Sequence, residues 1–383
     1  MNRRAFVASL SAILALLVAL VIISSVAPPL AAQPPLPDTV EGFERVFVGW
    51  AQKQGITGGT LAVARDVRLV LIKGYGDRRG DDRVLLASLS KAITAVCVAT
   101  LVQQGRLSFA TSLGDSLPRS LGTPVDPGLR KVTIEQLLTH RAGFGDGHGG
   151  DPATGELGGE LAFHRLLRRR GPVLAEARDL WANVIRFRLQ NPPGEVYRYT
   201  NAAYLALGLI IEAVSARPYE EYCASAVLAP AGIANARLDP TWRILGAFGG
   251  WRLSGPEYLA FLRVFRPDGP VLDAERRRWT VMTAGREMDV SGQASYTLGV
   301  VVRTVSEGHN LSHRGAFDYH HPYAMGGPLH VSIGSLAVRP AIGTSWFAFY
   351  EPLLTPEARG ELDRELWRAA RGVRIWPAEV VKQ

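Results

Sequence analysis

Residues 88–105 read Ser-Leu-Ser-Lys-Ala-Ile-Thr-Ala-Val-Cys-Val-Ala-Thr-Leu-Val-Gln-Gln-Gly. After the first turn almost every position is apolar, from Ala92 and Ile93 through Val96, Cys97 and Val98 to Leu101 and Val102, until Gly105 stops the run. A helix apolar on every side belongs in the middle of a protein, so the rest of the chain is arranged around this one. Lys91 stands out at its head, because lysine occurs at only five positions (Lys53, Lys73, Lys91, Lys131 and Lys382) against 38 arginines. Burial there lowers a lysine's pKa and yields a neutral amine able to take a proton. Ser88, three residues earlier, shares its helix face and sets a hydroxyl beside that amine. Alone, the pair reads more readily as a helix cap with a snorkelling lysine.

Working outward, a helix is expected over 40–54, ending at Gly55, followed by strands over 59–64 and 68–73 joined by Arg65, Asp66 and Val67 as a hairpin. Strand character returns at 295–304, 310–316, 329–338 and 344–350, before an amphipathic helix over 356–370. Between them the pattern is helical with Pro/Gly punctuation, at 133–139, 161–169, 175–190, 201–216, 219–228 and 256–265. The glycine-rich stretch 143–159 has too few apolar residues to pack and reads as a mobile loop. The predicted fold class is α/β (α+β): one antiparallel sheet built from the N- and C-terminal segments, flanked by helices, with a large, mostly helical inserted domain. The sheet domain takes 40–106 and 290–383, the helical domain 107–289.

A chain of 383 residues with 47% hydrophobic and 20% charged residues can bury a large core, which excludes disordered and disulfide-knotted classes. Its net charge is +8, but the arginines are dispersed, and the runs at 168–170 and 276–278 lack interleaved aromatics, so no nucleic-acid partner is expected. Arg3 and Arg4 precede an uncharged apolar run over 5–26, so 1–32 reads as a signal peptide or N-terminal anchor and 33–39 as a Pro-rich linker. Cleavage after Ala32 and retention as a bilayer-spanning segment are both open; either way the protein is expected to be exported, periplasmic or secreted, and to touch membrane only through this segment. Cys97 and Cys223 each sit in an apolar helical pattern, where a thiol packs as a small hydrophobe, and are expected to be unpaired.

Two further signals carry chemistry. Tyr199-Thr200-Asn201 follows the turn Pro192-Pro193-Gly194 and opens an apolar helix, where Asn201 is otherwise a plain N-cap. His313-Arg314-Gly315-Ala316 lies in a late strand pattern, where Gly315 permits close approach of a ligand to backbone. In this order, Ser-x-x-Lys, Tyr-x-Asn and His-x-Gly resemble the serine β-lactamase-like superfamily of class C β-lactamases, D,D-peptidases and related esterases, over roughly residues 40–370. Supporting segments are 136–144 (Gln-Leu-Leu-Thr-His-Arg-Ala-Gly-Phe), Pro193-Gly194-Glu195 and 249–254 (Gly-Gly-Trp-Arg-Leu-Ser).

The resemblance implies Ser88 as acyl-accepting nucleophile, Lys91 with Tyr199 as the proton-transfer pair, and Asn201 orienting the substrate amide and Lys91. It implies an oxyanion hole from the backbone N–H groups of Ser88 and Ala316, with no cofactor and no metal. His313 stands where the family carries lysine, and Arg314 where a small hydroxyl residue is usual. Histidine has an ordinary pKa of about 6.5 and offers no permanent charge at neutral pH. Arg314 either restores a carboxylate clamp or faces away from the cleft, since strand neighbours point to opposite sides. The expected activity is therefore an acyl-serine hydrolase of small esters, amides or peptides, of esterase or D-amino-acid peptidase type. The alternatives are a β-lactamase and a penicillin- or cell-wall-fragment-binding module without turnover. A metal site of His309, His313, Asp318, His320 and His321 is disfavoured, because His309 and His313 would lie about 13 Å apart along a strand.

Overall fold

The computed structural model describes residues 35–145, 151–154, 156–157, 160–161, 166, 176–289, 292–321 and 329–382. The expected leader 1–32, most of the expected helix 161–169 and much of the 143–159 loop lie outside these residues.

Helix α1 (Glu41–Gln54) buries Phe43, Phe47 and Trp50 and ends on Gly55 in the left-handed conformation, φ 67°. Strands β1 (Gly58–Arg65) and β2 (Arg68–Gly76) form the expected hairpin. The short strand β3 (Val84–Leu85) leads through a 3-10 turn, Ala87–Leu89, into α2 (Ser90–Gln103), which is buried at every position from Ser90 to Val102. Further on come α3 (Asn201–Ser215), α4 (Tyr219–Cys223), β4 (Arg237–Leu238), β5 (Trp251–Leu253) and α5 (Gly255–Phe261). The chain then returns to the sheet with β6 (Ser295–Tyr296), β7 (Val301–Val305), β8 (Gly308–His321), β9 (Leu329–Arg339) and β10 (Thr344–Glu351), closing with α6 (Pro356–Gly372) and β11 (Val381–Lys382).

The eight-stranded sheet runs β11-β2-β1-β10-β9-β8-β7-β6, with β1 and β10 pairing the two ends of the chain at its centre. All its pairs are antiparallel except β11 on β2. This is the predicted class, a mixed α/β fold on a largely antiparallel sheet. Alternation along β10 sorts the layers: Trp346 meets Phe43 and Trp367 of α1 and α6 on one face, whereas Phe347 meets Tyr258 of α5 on the other. A three-stranded sheet, β3-β5-β4, was not predicted, because two- and three-residue strands carry too little periodicity to read. Residues 38–383 form one compact unit, and one hydrophobic core runs from the sheet through α2 and α3.

The cysteine expectation is corrected. Cys97 and Cys223 are joined in a disulfide, with Cα atoms 5.6 Å apart across 126 residues of sequence. Each thiol is buried in its own helix, as expected, but α4 packs against the middle of α2 and brings the two together. No local pattern records that neighbour.

Candidate active site

Ser88 sits half-buried in the 3-10 turn that feeds α2. The preceding Ala87 has φ 48°, a left-handed conformation that a residue with a Cβ adopts only when its surroundings impose it. Those surroundings are visible. Leu86 donates its N–H to the Trp251 carbonyl at 2.9 Å, Ser335 Oγ donates to Leu86 O at 2.8 Å, and Ser90 Oγ accepts the Trp251 N–H at 3.1 Å. On the sheet side, a Cβ at Gly315 would fall 2.1 Å from Ser335 Oγ and 2.6 Å from Leu86 O. Only glycine lets β8 lie this close to the turn bearing Ser88.

Lys91 is completely buried. Its Nζ lies 3.0 Å from Ser88 Oγ, 2.7 Å from Asn201 Oδ1 and 3.0 Å from the Phe248 carbonyl. The rings of Tyr199, Phe248 and Tyr204 surround it at 4.8, 5.7 and 5.8 Å. Burial pulls the Lys91 pKa down to about 7, opposed by the negative charge of Asp151.

Asn201 opens α3, and Thr200 before it supplies no side-chain cap. The cap comes from fifty residues upstream: the Asp151 carboxylate accepts the N–H of Asn201 and, at 3.1 Å, that of Ala202. Thr154 Oγ1 accepts from Asn201 Nδ2 at 3.0 Å and donates to Asp151 Oδ2 at 3.2 Å. A relay Asp151–Thr154–Asn201–Lys91 thus holds the amine in place. Sequence reasoning missed Asp151 and Thr154, which sit in the stretch read as mobile loop; the only local signal is an Asp and a Thr three apart amid glycines.

Tyr199 shares a hydrogen bond with Ser88, and burial of the phenol raises its pKa far more than that bond lowers it. The residue nonetheless keeps 41% of its surface exposed, unlike the enclosed Tyr204 and Tyr296 behind it. The hydroxyl remains protonated at neutral pH. Buried His140, also with positive φ (56°), packs its ring 4.3 Å from Tyr199 and 4.5 Å from Tyr296. Its Nδ1 accepts the Thr200 N–H at 3.2 Å, and burial, with Lys91 and His313, keeps it neutral.

His313 is buried on the same side of the sheet as Gly315. Its Nδ1 faces the Arg314 carbonyl at 2.7 Å and must carry the proton, which leaves Nε2 to accept from the Tyr296 hydroxyl at 2.8 Å. Burial, reinforced by Lys91, pushes its pKa down to about 3, so this imidazole is neutral at any physiological pH. Tyr296, seventeen residues upstream, carried no signal beyond its place in a predicted strand. Arg314 points the other way, to an ion pair with Asp363 on α6, which settles the question that alternation left open. Ala316 follows on β8, its backbone one residue beyond the contact that Gly315 makes with the Ser88 turn.

Ser88, Lys91, Tyr199, Asn201, His313 and Gly315 therefore converge, and Arg314 does not. Among the described residues no group of three or more His, Cys, Asp or Glu could hold a metal ion.

A family model described as Beta-lactamase matches residues 43–349. Protein flp of Staphylococcus aureus (strain N315) is 24% identical over 212 residues, 53% of this chain and 39% of its own. The chain thus spans well under half the length of that relative. Among solved structures, a D-stereospecific amidohydrolase from Streptomyces sp. superposes with a TM-score of 0.66 at 18% identity, over 85% of this chain and 97% of that one. EstCE1, a hydrolase with promiscuous acyltransferase activity, does so with a TM-score of 0.66 at 16% identity, over 85% and 99%. At these identities the likeness is one of fold.

Proposed function

Because this chain belongs to the Beta-lactamase family, whose members are serine hydrolases, we propose that it forms an acyl-enzyme at Ser88 on a small ester or amide that presents no negative charge to His313. The observation that carries this reading is the setting of Lys91 Nζ among three acceptors. A neutral amine has two N–H donors and one lone pair; Asn201 Oδ1 and the Phe248 carbonyl take the donors, and the lone pair is left facing the Ser88 hydroxyl. With a pKa of about 7, much of Lys91 is in that form near neutral pH.

As Ser88 Oγ bonds to the substrate carbonyl carbon, its proton passes to Lys91. The N–H groups of Ser88 and Ala316 receive the oxyanion. The C–O or C–N bond to the leaving group then breaks while Tyr199, protonated because its pKa is raised, donates to the departing atom and is reprotonated from Lys91. Water adds to the acyl carbon, and its collapse releases the acid and restores Ser88.

The β-lactamase and penicillin-binding readings need a cation for the substrate carboxylate. Neutral His313 offers none there, and Arg314 is engaged on the opposite face. The same reading takes the protein to be exported: Arg3 and Arg4 before the apolar run support this, as does a disulfide, which persists in oxidising compartments.

The test is intact-mass analysis with steady-state rates on a neutral nitrophenyl ester, a D-amino-acid amide and benzylpenicillin. The expected result is an adduct at Ser88 and faster turnover of the first two. Labelling at any other residue, or penicillin hydrolysed as fast as the ester, overturns it.

A further inference from the structure

One end of the sheet combines exposed apolar tips with unpaired arginines. The β1–β2 and β9–β10 turns are joined there, Asp66 N–H to Gly343 O at 2.6 Å and the Arg65 guanidinium to Ile342 O at 2.7 Å. At their tips Val67 is 50% and Ile342 37% exposed. Arg65 also lies over Trp376, and Ile375 beside it is largely exposed. Asp38, where the compact unit begins, is held at this same end by the N–H groups of Arg374 and Ile375.

Next to the tips, a pocket of about 140 Å³ opens between the end of the sheet and the face of α5 and the turn that follows it. Leu69, Pro256 and Leu259 give it apolar walls, and Arg263, Arg266 and Arg339 line it as well. Arg266 is paired with Asp268 at 3.0 Å, and the pocket's own carboxylate, Asp66, is turned to Arg65 at 3.7 Å. Among the described residues neither Arg263 nor Arg339 has an ion-pair partner. Arg339 is half-buried, and burial and the neighbouring Arg266 disfavour its charge more than Asp268 favours it. A guanidinium with five donors, partly desolvated beside a second cation, feels Asp268 only at a distance, and among the described residues no anion meets its planar fork directly.

Residues 27–37 can span at most about 40 Å between Asp38 and the apolar run 5–26. We propose that this end of the molecule docks on an anionic phospholipid surface, with a headgroup phosphate between Arg263 and Arg339 and the Val67 and Ile342 tips in the interfacial layer. The proposal borrows only the tether from the export reading. The headgroup contact stands on the pocket, so it can be tested on residues 38–383, which pack as a unit around their own core.

Sedimentation with vesicles of phosphatidylcholine, with or without about one third phosphatidylglycerol, is the measurement. Binding is expected only with phosphatidylglycerol, weakened roughly fivefold by each of Arg263→Glu and Arg339→Gln, with ester hydrolysis and melting temperature unchanged in Arg263→Glu. The exposed Arg263 keeps the test independent of any folding defect in Arg339→Gln. Equal binding to both vesicles, or parental binding by both variants, overturns the proposal. So does calorimetric binding of inorganic phosphate, lost in Arg339→Gln, without vesicle binding, which would mark a soluble-anion site.

Discussion

The two helices that carry the candidate chemistry begin in opposite ways. Helix α2 is entered through a strained left-handed residue, Ala87, with no side-chain cap on its first turn, and that turn is held in place by β5 and β9. Helix α3 also lacks a cap from its own N-cap residue, yet its first two amides are taken by the carboxylate of Asp151. The difference follows the charge each end has to meet. In the proposed mechanism a negative charge develops at the α2 end only transiently, and no side chain caps that end to compete with it. At α3 a permanent carboxylate holds Asn201 still, and Asn201 in turn accepts from Lys91.

The largest effect should come from the α2 end. Ser88→Ala is expected to remove acyl-enzyme formation, with kcat falling on the order of 10⁴-fold or more. Lys91→Arg should be nearly as inactive, since arginine cannot give up its proton; retention of most turnover would move the base elsewhere. Circular dichroism melts would separate either loss from unfolding.

Breaking the α3 clamp should cost less and leave a signature. Asp151→Asn is expected to lower kcat by roughly 10- to 100-fold through misplacement of Asn201 and Lys91. It should also shift the pH profile. Activity of the parent is expected to rise with pH through about 7 as Lys91 becomes neutral. Asp151 favours the charged amine and so raises that value; without it the rising limb moves to lower pH. Thr154→Val, which keeps the carboxylate, should reduce kcat without moving the limb. A limb that stays put in Asp151→Asn would reduce Asp151 to a structural cap.

Between the two helices, His313→Lys puts a basic amine where a neutral ring now accepts from Tyr296. Its kcat/KM is expected to shift toward carboxylate-bearing substrates by about tenfold, a modest change because burial beside Lys91, which keeps His313 neutral, also lowers the charged fraction of a lysine placed there. The comparison is made at and below pH 7, where a lysine there gains charge while His313 is still neutral, and an unchanged ratio would show that this position does not set charge preference.

The smallest effect on turnover should come from the staple in the middle of α2. Cys97→Ala with Cys223→Ala is expected to leave the rate within about twofold while costing ~2–4 kcal/mol of stability in denaturant titration. Denatured, unreduced protein should show no alkylatable thiol, and two per chain would refute the bridge.

The local record in the chain was enough for the longer strands and helices that build the main sheet and its central helix, and for one part of the chemistry. Apolar content around the whole circumference of 88–105 placed that segment at the centre, and an i, i+3 spacing put Ser88 and Lys91 on one face. Period-two runs at both chain ends marked the strands, because these patterns repeat within a few residues and need no knowledge of neighbours. Tertiary structure alone decided the rest. Which way Arg314 points depends on the face that β8 turns to α6, and the partner of His313 Nε2 is a tyrosine hydroxyl from β6. The Asp151 cap spans fifty residues and the Cys97–Cys223 bridge 126. Each is a contact between segments whose sequences are individually ordinary, and only the packing of α2, α3 and the sheet brings those segments within bonding distance.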